Sequence, residues 1–284
     1  MKRLIINADD FGLHPLVNKA IIEAHERGCV TSTSLMPTGA AFEDAVTLAA
    51  GQPRLGIGIH LTLVGERPVS PPALIPSLVD GEGRLPAQYP AFLARFLLGR
   101  ISLTEVRSEL TAQMAKVAAT GLVISHIDSH QHLHVLPGID DIIFELAAAY
   151  KIKAVRIPAE PPLFIGGYPF SLGRFLGRLG LTILASRAGR RARQRGLTTP
   201  DHFYGMLAGG NLRQEYLLNI IDSLPAGDSE IMTHPGADDA VLGAGFDWRY
   251  AWQGELASLV SPAVRQRLAG GGIELITFRE LGHD

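Results

Sequence analysis

Residues 126–134 read His-Ile-Asp-Ser-His-Gln-His-Leu-His, placing four of the chain's ten histidines in one short stretch. In an extended segment, side chains alternate between faces, so His126, Asp128, His130, His132 and His134 would share one face. That is too many imidazoles for a packed core. Neutral imidazole is a common ligand for zinc and related ions, so the stretch reads as metal chemistry. A polar strand end facing solvent is the alternative. Asp128 suits a different task, gripping the second ring nitrogen of a neighbouring imidazole. A second group is Asn7-Ala8-Asp9-Asp10-Phe11-Gly12, directly after the apolar Leu4-Ile5-Ile6. Adjacent carboxylates raise each other's pKa, and a divalent cation relieves that repulsion. One acid can hold the ion while the other takes a proton from an attacking water. A solvated Asp-Asp turn is the bland alternative. His60 in Gly58-Ile59-His60-Leu61-Thr62 is weak alone, because a lone histidine in an apolar strand is more often a core residue. His234 precedes Pro235-Gly236, a turn that pushes its ring outward. His14 and His25 read as surface or helix residues.

These residues share a position: each stands where an apolar run ends. The pattern predicts strands at 4–7, 30–36, 55–63, 122–128, 154–157, 202–206, 230–233 and 273–277. Helices are expected over 15–27, 42–50, 103–119, 139–150 and 213–224. Strands alternating with helices imply a parallel sheet with right-handed crossovers. About seven or eight such units favour an α/β fold, a (β/α) barrel, in which the strand C-termini form one rim. Asp9, Asp10, His60, His126, Asp128, His130, Arg156 and His234 would meet there. Two stretches, about 64–100 and 161–200, interrupt the rhythm and read as insertions. With no linker composition between them, residues 1–284 are expected to form one domain.

The bulk numbers restrict the partners. The 284 residues carry a net charge of −2, so nucleic acid is not expected. The single cysteine, Cys29, allows no internal disulfide and reads as a small buried residue in a reducing compartment. Two acids follow Leu4–Ile6 too soon for a signal peptide, and no apolar run reaches the roughly 18 residues of a spanning helix. A cytoplasmic protein is expected.

Five motifs together resemble one family. Asn-Ala-Asp-Asp-Phe-Gly at 7–12, Gly-Ile-His-Leu-Thr at 58–62, His-Ile-Asp-Ser-His at 126–130, Arg-Ile-Pro at 156–158 and His-Pro-Gly at 234–236 look like the YdjC family of carbohydrate deacetylases. That family includes chito-oligosaccharide deacetylases and deacetylases associated with hopanoid biosynthesis. The resemblance implies a barrel like that of polysaccharide deacetylases and hydrolysis of an N-acetyl group on an amino-sugar or glycolipid. It implies that Asp10, His60 and His130 hold one divalent metal ion, magnesium or zinc. It implies Asp9 as general base, Arg156 as the residue orienting it, and His234 as the acid for the leaving amine. His126, Asp128 and His134 are expected to support the ligands or line the pocket. Gln131 and His132 carry no role.

One feature falls outside the motifs. Between Glu160 and Asp201 there is no acidic residue, while Arg174, Arg178, Arg187, Arg190, Arg191, Arg193 and Arg195 interleave with leucines at helical spacing. A lid or an oligomer-forming insertion with a solvated basic face is one reading. Peripheral contact of 172–195 with an anionic membrane is another. Two rivals to the overall reading are a different barrel metal hydrolase, an amidohydrolase or phosphoesterase, and a non-catalytic sugar- or lipid-binding protein.

Overall fold

The computed structural model describes residues 1–169 and 172–282. Its central strand, β1 (Lys2–Phe11), buries both faces. Leu4, Ile6 and Ala8 join the large core against the helices, while Ile5 belongs to a second, smaller cluster with Phe278. Period two thus separates an apolar outer face from an inner face that continues through Asn7 and Asp9. A strand covered on both sides belongs in a parallel sheet wrapped by helices.

The other strands are β2 (Ser32–Leu35), β3 (Gly56–Leu61), β4 (Ile124–Ser129), β5 (Ala154–Val155), β6 (His202–Tyr204), β7 (Gly227–Thr233) and β8 (Ile273–Leu275). All pair in parallel. The order is β5-β4-β3-β2-β1-β7-β6. One edge of β1 runs along β7, and the other is shared by β8 near its start and β2 near its end. The two ends of the sheet meet through one bridge, Ala154 to Thr198, shortly before β6. The fold is therefore the expected seven-strand barrel, with β8 a short addition.

The helices are α1 (Pro15–Glu26), α2 (Phe42–Ala50), α3 (Tyr89–Leu97), α4 (Leu103–Ala118), α5 (Ile139–Ala149), α6 (Leu172–Gln194), α7 (Gln214–Ser223), α8 (Asp239–Gly245), α9 (Trp252–Leu259) and α10 (Pro262–Gly270). Among the described residues no helix is long and apolar enough to cross a membrane. The first insertion is pinned to α4, where buried Glu109 accepts from the backbone N–H groups of Val69 and Ser70. The second insertion contains α6; residues 170 and 171 lie outside the described residues. Its basic side is only partly the solvated face that the arginine count suggests: Arg174, Arg190, Arg193 and Arg195 are exposed, but several arginines are engaged by acids. Arg187 and Arg191 pair with Asp140 at the start of α5, and Arg191 and Arg195 pair with Asp141. Arg178 is buried on Glu160 and the carbonyls of Pro162 and Phe164. The acidic partners come from a distant segment, so a local charge count misses them. Besides the exposed arginines, α6 leaves exposed Leu172, Leu176 and Ile183, a stripe at helical spacing.

Candidate active site

Adjacent residues of a strand normally face opposite sides, so Asp9 and Asp10 should diverge. They do not, because β1 is irregular between Ala8 and Phe11 and Asp10 has φ 66°. A left-handed non-glycine residue inside a strand is strained, and such strain concentrates at functional sites. Both carboxylates stay at the rim, in different surroundings.

Asp9 faces a buried polar network. Arg156 grips it with two hydrogen bonds, Nη1 to Oδ2 and Nη2 to Oδ1, both 2.6 Å. Asn7 Nδ2 donates to Asp9 Oδ1 at 2.8 Å. Of the roughly four acceptor sites of a carboxylate, three are taken, leaving one on Oδ2. Arg156 also reaches Asp128 at 2.8 Å and Glu230 at 2.7 Å. Its buried guanidinium is held well above its ordinary pKa: burial opposes the charge, but Asp128, Asp9 and Glu230 outweigh it. Three carboxyl groups around one cation leave an excess of negative charge. Glu230 absorbs it: burial, together with Asp9 and Asp128, pushes its carboxyl up to about 8 despite Arg156. Asp128 goes the other way. Burial alone would raise it, but Arg156 and His60 hold it well below the usual carboxylate range.

Asp10 faces two imidazoles. Its Oδ1 lies 3.0 Å from His130 Nδ1 and 3.4 Å from His60 Nε2. Despite burial, which raises it, these rings hold Asp10 well below its ordinary pKa. His60 Nδ1 donates to Asp128 at 2.8 Å, so the ring is oriented with Nε2 toward Asp10. Ser34 fixes Asp128 in turn, donating to its Oδ2 at 2.7 Å. Burial pulls His60 down, but Asp128 and Asp10 push it up to about 10 in the metal-free protein.

Among the described residues, two groups have ligand atoms within 4.8 Å of one another: Asp10, His60 and His130, and Asp9, His60 and Asp128. A divalent ion fits the first. Its donors are two imidazoles and a carboxylate, all buried, with His60 oriented from behind by Asp128. The second group already surrounds a cation, since Arg156 bonds both Asp9 and Asp128.

The remaining expected residues are dispersed. His234 directly follows β7, where Thr233 pairs with Ala8, so it stands beside Asp9. Its ring lies 5.1 Å from Tyr250, and its Nδ1 has no partner among the described residues. Buried Glu255 accepts from the His234 and Leu212 backbone N–H groups and fixes the turn. His126 lies deeper in the barrel, stacked on Phe278 at 3.7 Å. There, a side chain at residue 58 would meet its ring at 2.2 Å, so Gly58 makes room for it. Burial pulls His126 down to about 3, which keeps it neutral. His134 bridges Ser129 and the Arg156 carbonyl, so it fixes the strand ends rather than facing outward. His14 caps α1 through Nδ1.

Sequence reasoning passed over several neighbours. Ser34, Glu230 and Glu255 act through partners far away in the chain, and Asn7 links neighbouring Asp9 to distant Ser34. Glu66, in the first insertion, is pushed up to about 7 by burial and by Asp10 nearby. Trp248 lies 5.2 Å from His130. The available signal was the alternation of aromatics at 246, 248, 250 and 252.

The family model for YdjC-like proteins matches residues 3–270. A carbohydrate deacetylase of Brevibacillus brevis is 37% identical over 99% of this chain and 100% of its own. A chitooligosaccharide deacetylase of Yersinia enterocolitica is 31% identical over 98% of this chain and 99% of its own. An Enterococcus faecalis crystal structure, provisionally assigned to cellobiose-phosphate cleavage, superposes with a TM-score of 0.76 at 29% identity, covering 98% of both chains. With a matching family model and relatives aligned along nearly their whole length, the chain belongs to the YdjC-like protein family.

Proposed function

We propose that this chain is a metal-dependent carbohydrate N-deacetylase that hydrolyses the acetamide of an amino-sugar. The observation that carries the reading is the division of labour between adjacent acids: Asp10 joins His60 and His130, while Asp9 is held apart by Arg156 with one acceptor site left. The relatives named above, a carbohydrate and a chitooligosaccharide deacetylase, supply the substrate class. Two nitrogen donors and one carboxylate favour zinc over magnesium by ligand type. A divalent ion on Asp10, His60 and His130 would polarise the acetyl carbonyl and make a water more acidic.

The chain's own residues do the rest. Asp9 takes a proton from the attacking water through its remaining Oδ2 site, and the Arg156 fork keeps that oxygen aimed. As the new C–O bond forms and the C–N bond breaks, His234 delivers a proton to the amine nitrogen, otherwise a poor leaving group. Water and the acetamide become acetate and a free amine. Incubating metal-loaded protein with N,N′-diacetylchitobiose should yield acetate and primary amine in equal amounts with no new reducing ends. Glycosidic cleavage, or phosphate release from phosphoesters without acetate release, would overturn the reading.

A second substrate, an amino-sugar on a lipid such as a hopanoid, is favoured by one observation: the exposed Leu172, Leu176 and Ile183 on α6. That stripe would rest on an anionic membrane surface. Sedimentation with anionic vesicles at low salt should then carry the protein down, and Leu176→Asp should release it. Protein left in the supernatant at low salt would dismiss the lipid-linked substrate alone.

A further inference from the structure

The segment between α8 and α9 carries an aromatic residue at every second position: Phe246, Trp248, Tyr250 and Trp252. Consecutive ring centroids are 4.9, 5.5 and 5.5 Å apart, so the rings form one continuous series. The series runs from the core outward. Trp252 is 2% exposed, while Phe246, Trp248 and Tyr250 are half-buried. Two of its members touch the site: Tyr250 against His234 at 5.1 Å and Trp248 against His130 at 5.2 Å. Tyr250 is locked in place. A side chain at Gly210 would lie 2.1 Å from its ring, so bare backbone packs on one side while His234 stands nearby. Ala251 N–H donates to the Gly210 carbonyl at 2.7 Å, fastening the segment beside the rim. Trp248 therefore has a fixed attitude, braced by Phe246 and Tyr250, next to a residue of the metal trio.

We infer that Trp248 is the sugar-stacking residue of this site, its exposed surface taking the apolar face of the pyranose that bears the acetamide. The inference rests on the amino-sugar reading above. A pyranose with equatorial substituents presents axial C–H groups on one face. Those weakly positive hydrogens complement the negative face of an indole, as aromatic ring edges do. Beside His130, stacking would fix the ring so that its acetamide enters between Asp10, His60 and His130. Simple acetamides without a ring would lose this contact.

The chain has two tryptophans, and buried Trp252 is shielded from a dissolved quencher, so iodide reads Trp248 in the unaltered protein. Adding N,N′-diacetylchitobiose to metal-free protein should reduce iodide quenching at least about twofold, and N-methylacetamide should not. In the metal-loaded enzyme, Trp248→Ala should raise KM for the disaccharide about tenfold, with smaller change in kcat and unchanged metal content. Trp248→Phe should recover part of that loss. A residue that only packs against His130 would alter metal content or kcat instead. Unprotected Trp248 at saturating disaccharide, or an unchanged KM in Trp248→Ala, would overturn the inference. If Trp248 is protected but no acetate appears, stacking stands and the deacetylase reading fails. If acetate appears with unchanged KM in the variant, the reverse holds.

Discussion

At Asp10 the backbone adopts φ 66°, a conformation that costs a non-glycine residue on the order of 1–3 kcal/mol. The return is that two sequence neighbours work side by side at one rim. His60 shows how closely this site is matched to a cation. In the metal-free protein burial lowers its pKa, yet Asp128 and Asp10 raise it to about 10, so an ion must displace a proton from it. Asp10 is held well below the neutral range and adds no proton of its own there. Metal affinity should therefore climb by roughly tenfold per unit from pH 6 to 8, with about one proton released. Titration calorimetry in buffers of different ionisation enthalpy measures this, and pH-independent affinity would contradict it. Glu230 gives a second test. Its carboxyl ionises near 4.5 when unfolded and at about 8 in the fold, so the folded chain holds the extra proton between those values. Its contribution to stability is thus lost as pH rises through that window. Glu230→Gln keeps an acceptor for Arg156 Nε and cannot ionise. Relative to the native protein, its Tm should rise with pH between 6 and 9; a constant difference would contradict the assignment.

Among the elements, α6 is the clearest case of an outcome that sequence concealed. Its helical spacing was readable, but its arginines were not assignable, because Asp140 and Asp141 lie on α5. Asp140 is fully buried and also accepts from the Gly138 and Asp141 backbone N–H groups. Asp140→Ala would strand those backbone donors and take the carboxylate partner from Arg187, while Arg191 keeps Asp141. We expect a stability loss of about 1–3 kcal/mol by denaturant unfolding. A loss below about 1 kcal/mol would mean that apolar packing alone holds α6. The strands were legible because buried β-branched runs ending in polar residues have few other readings. The helices α3, α8, α9 and α10 were not. Pro90 and the surrounding prolines made the α3 region look like loop, while Gly243, Gly245, Gly254 and Gly270 weaken periodicity in the other three.

Taken as a whole, the barrel gathers residues from five strand ends around one rim, and that convergence could be read from sequence. The inner network could not, because Ser34 and Glu230 acquire meaning only through contacts across the barrel, and Asn7 ties Asp9 to distant Ser34. Nor could the wall formed by Trp248 and Tyr250, whose alternation gives no direction. Because the proposed metal trio is drawn from β1, β3 and the turn after β4, an ion there would tie distant segments together. Metal at a hundredfold over its Kd should add about 2.7 kcal/mol of stability, seen as a Tm that falls with chelator. An unchanged Tm would mean that no ion binds the folded chain in preference to the unfolded one. The central claim is that Asp9 acts on the water while Asp10 holds the ion. Asp9→Asn separates these tasks, and acetate release from N,N′-diacetylchitobiose, measured beside bound metal, reads both. The predicted result is native metal content with kcat reduced about 10²–10⁴-fold; native turnover, or loss of the metal along with activity, would contradict it.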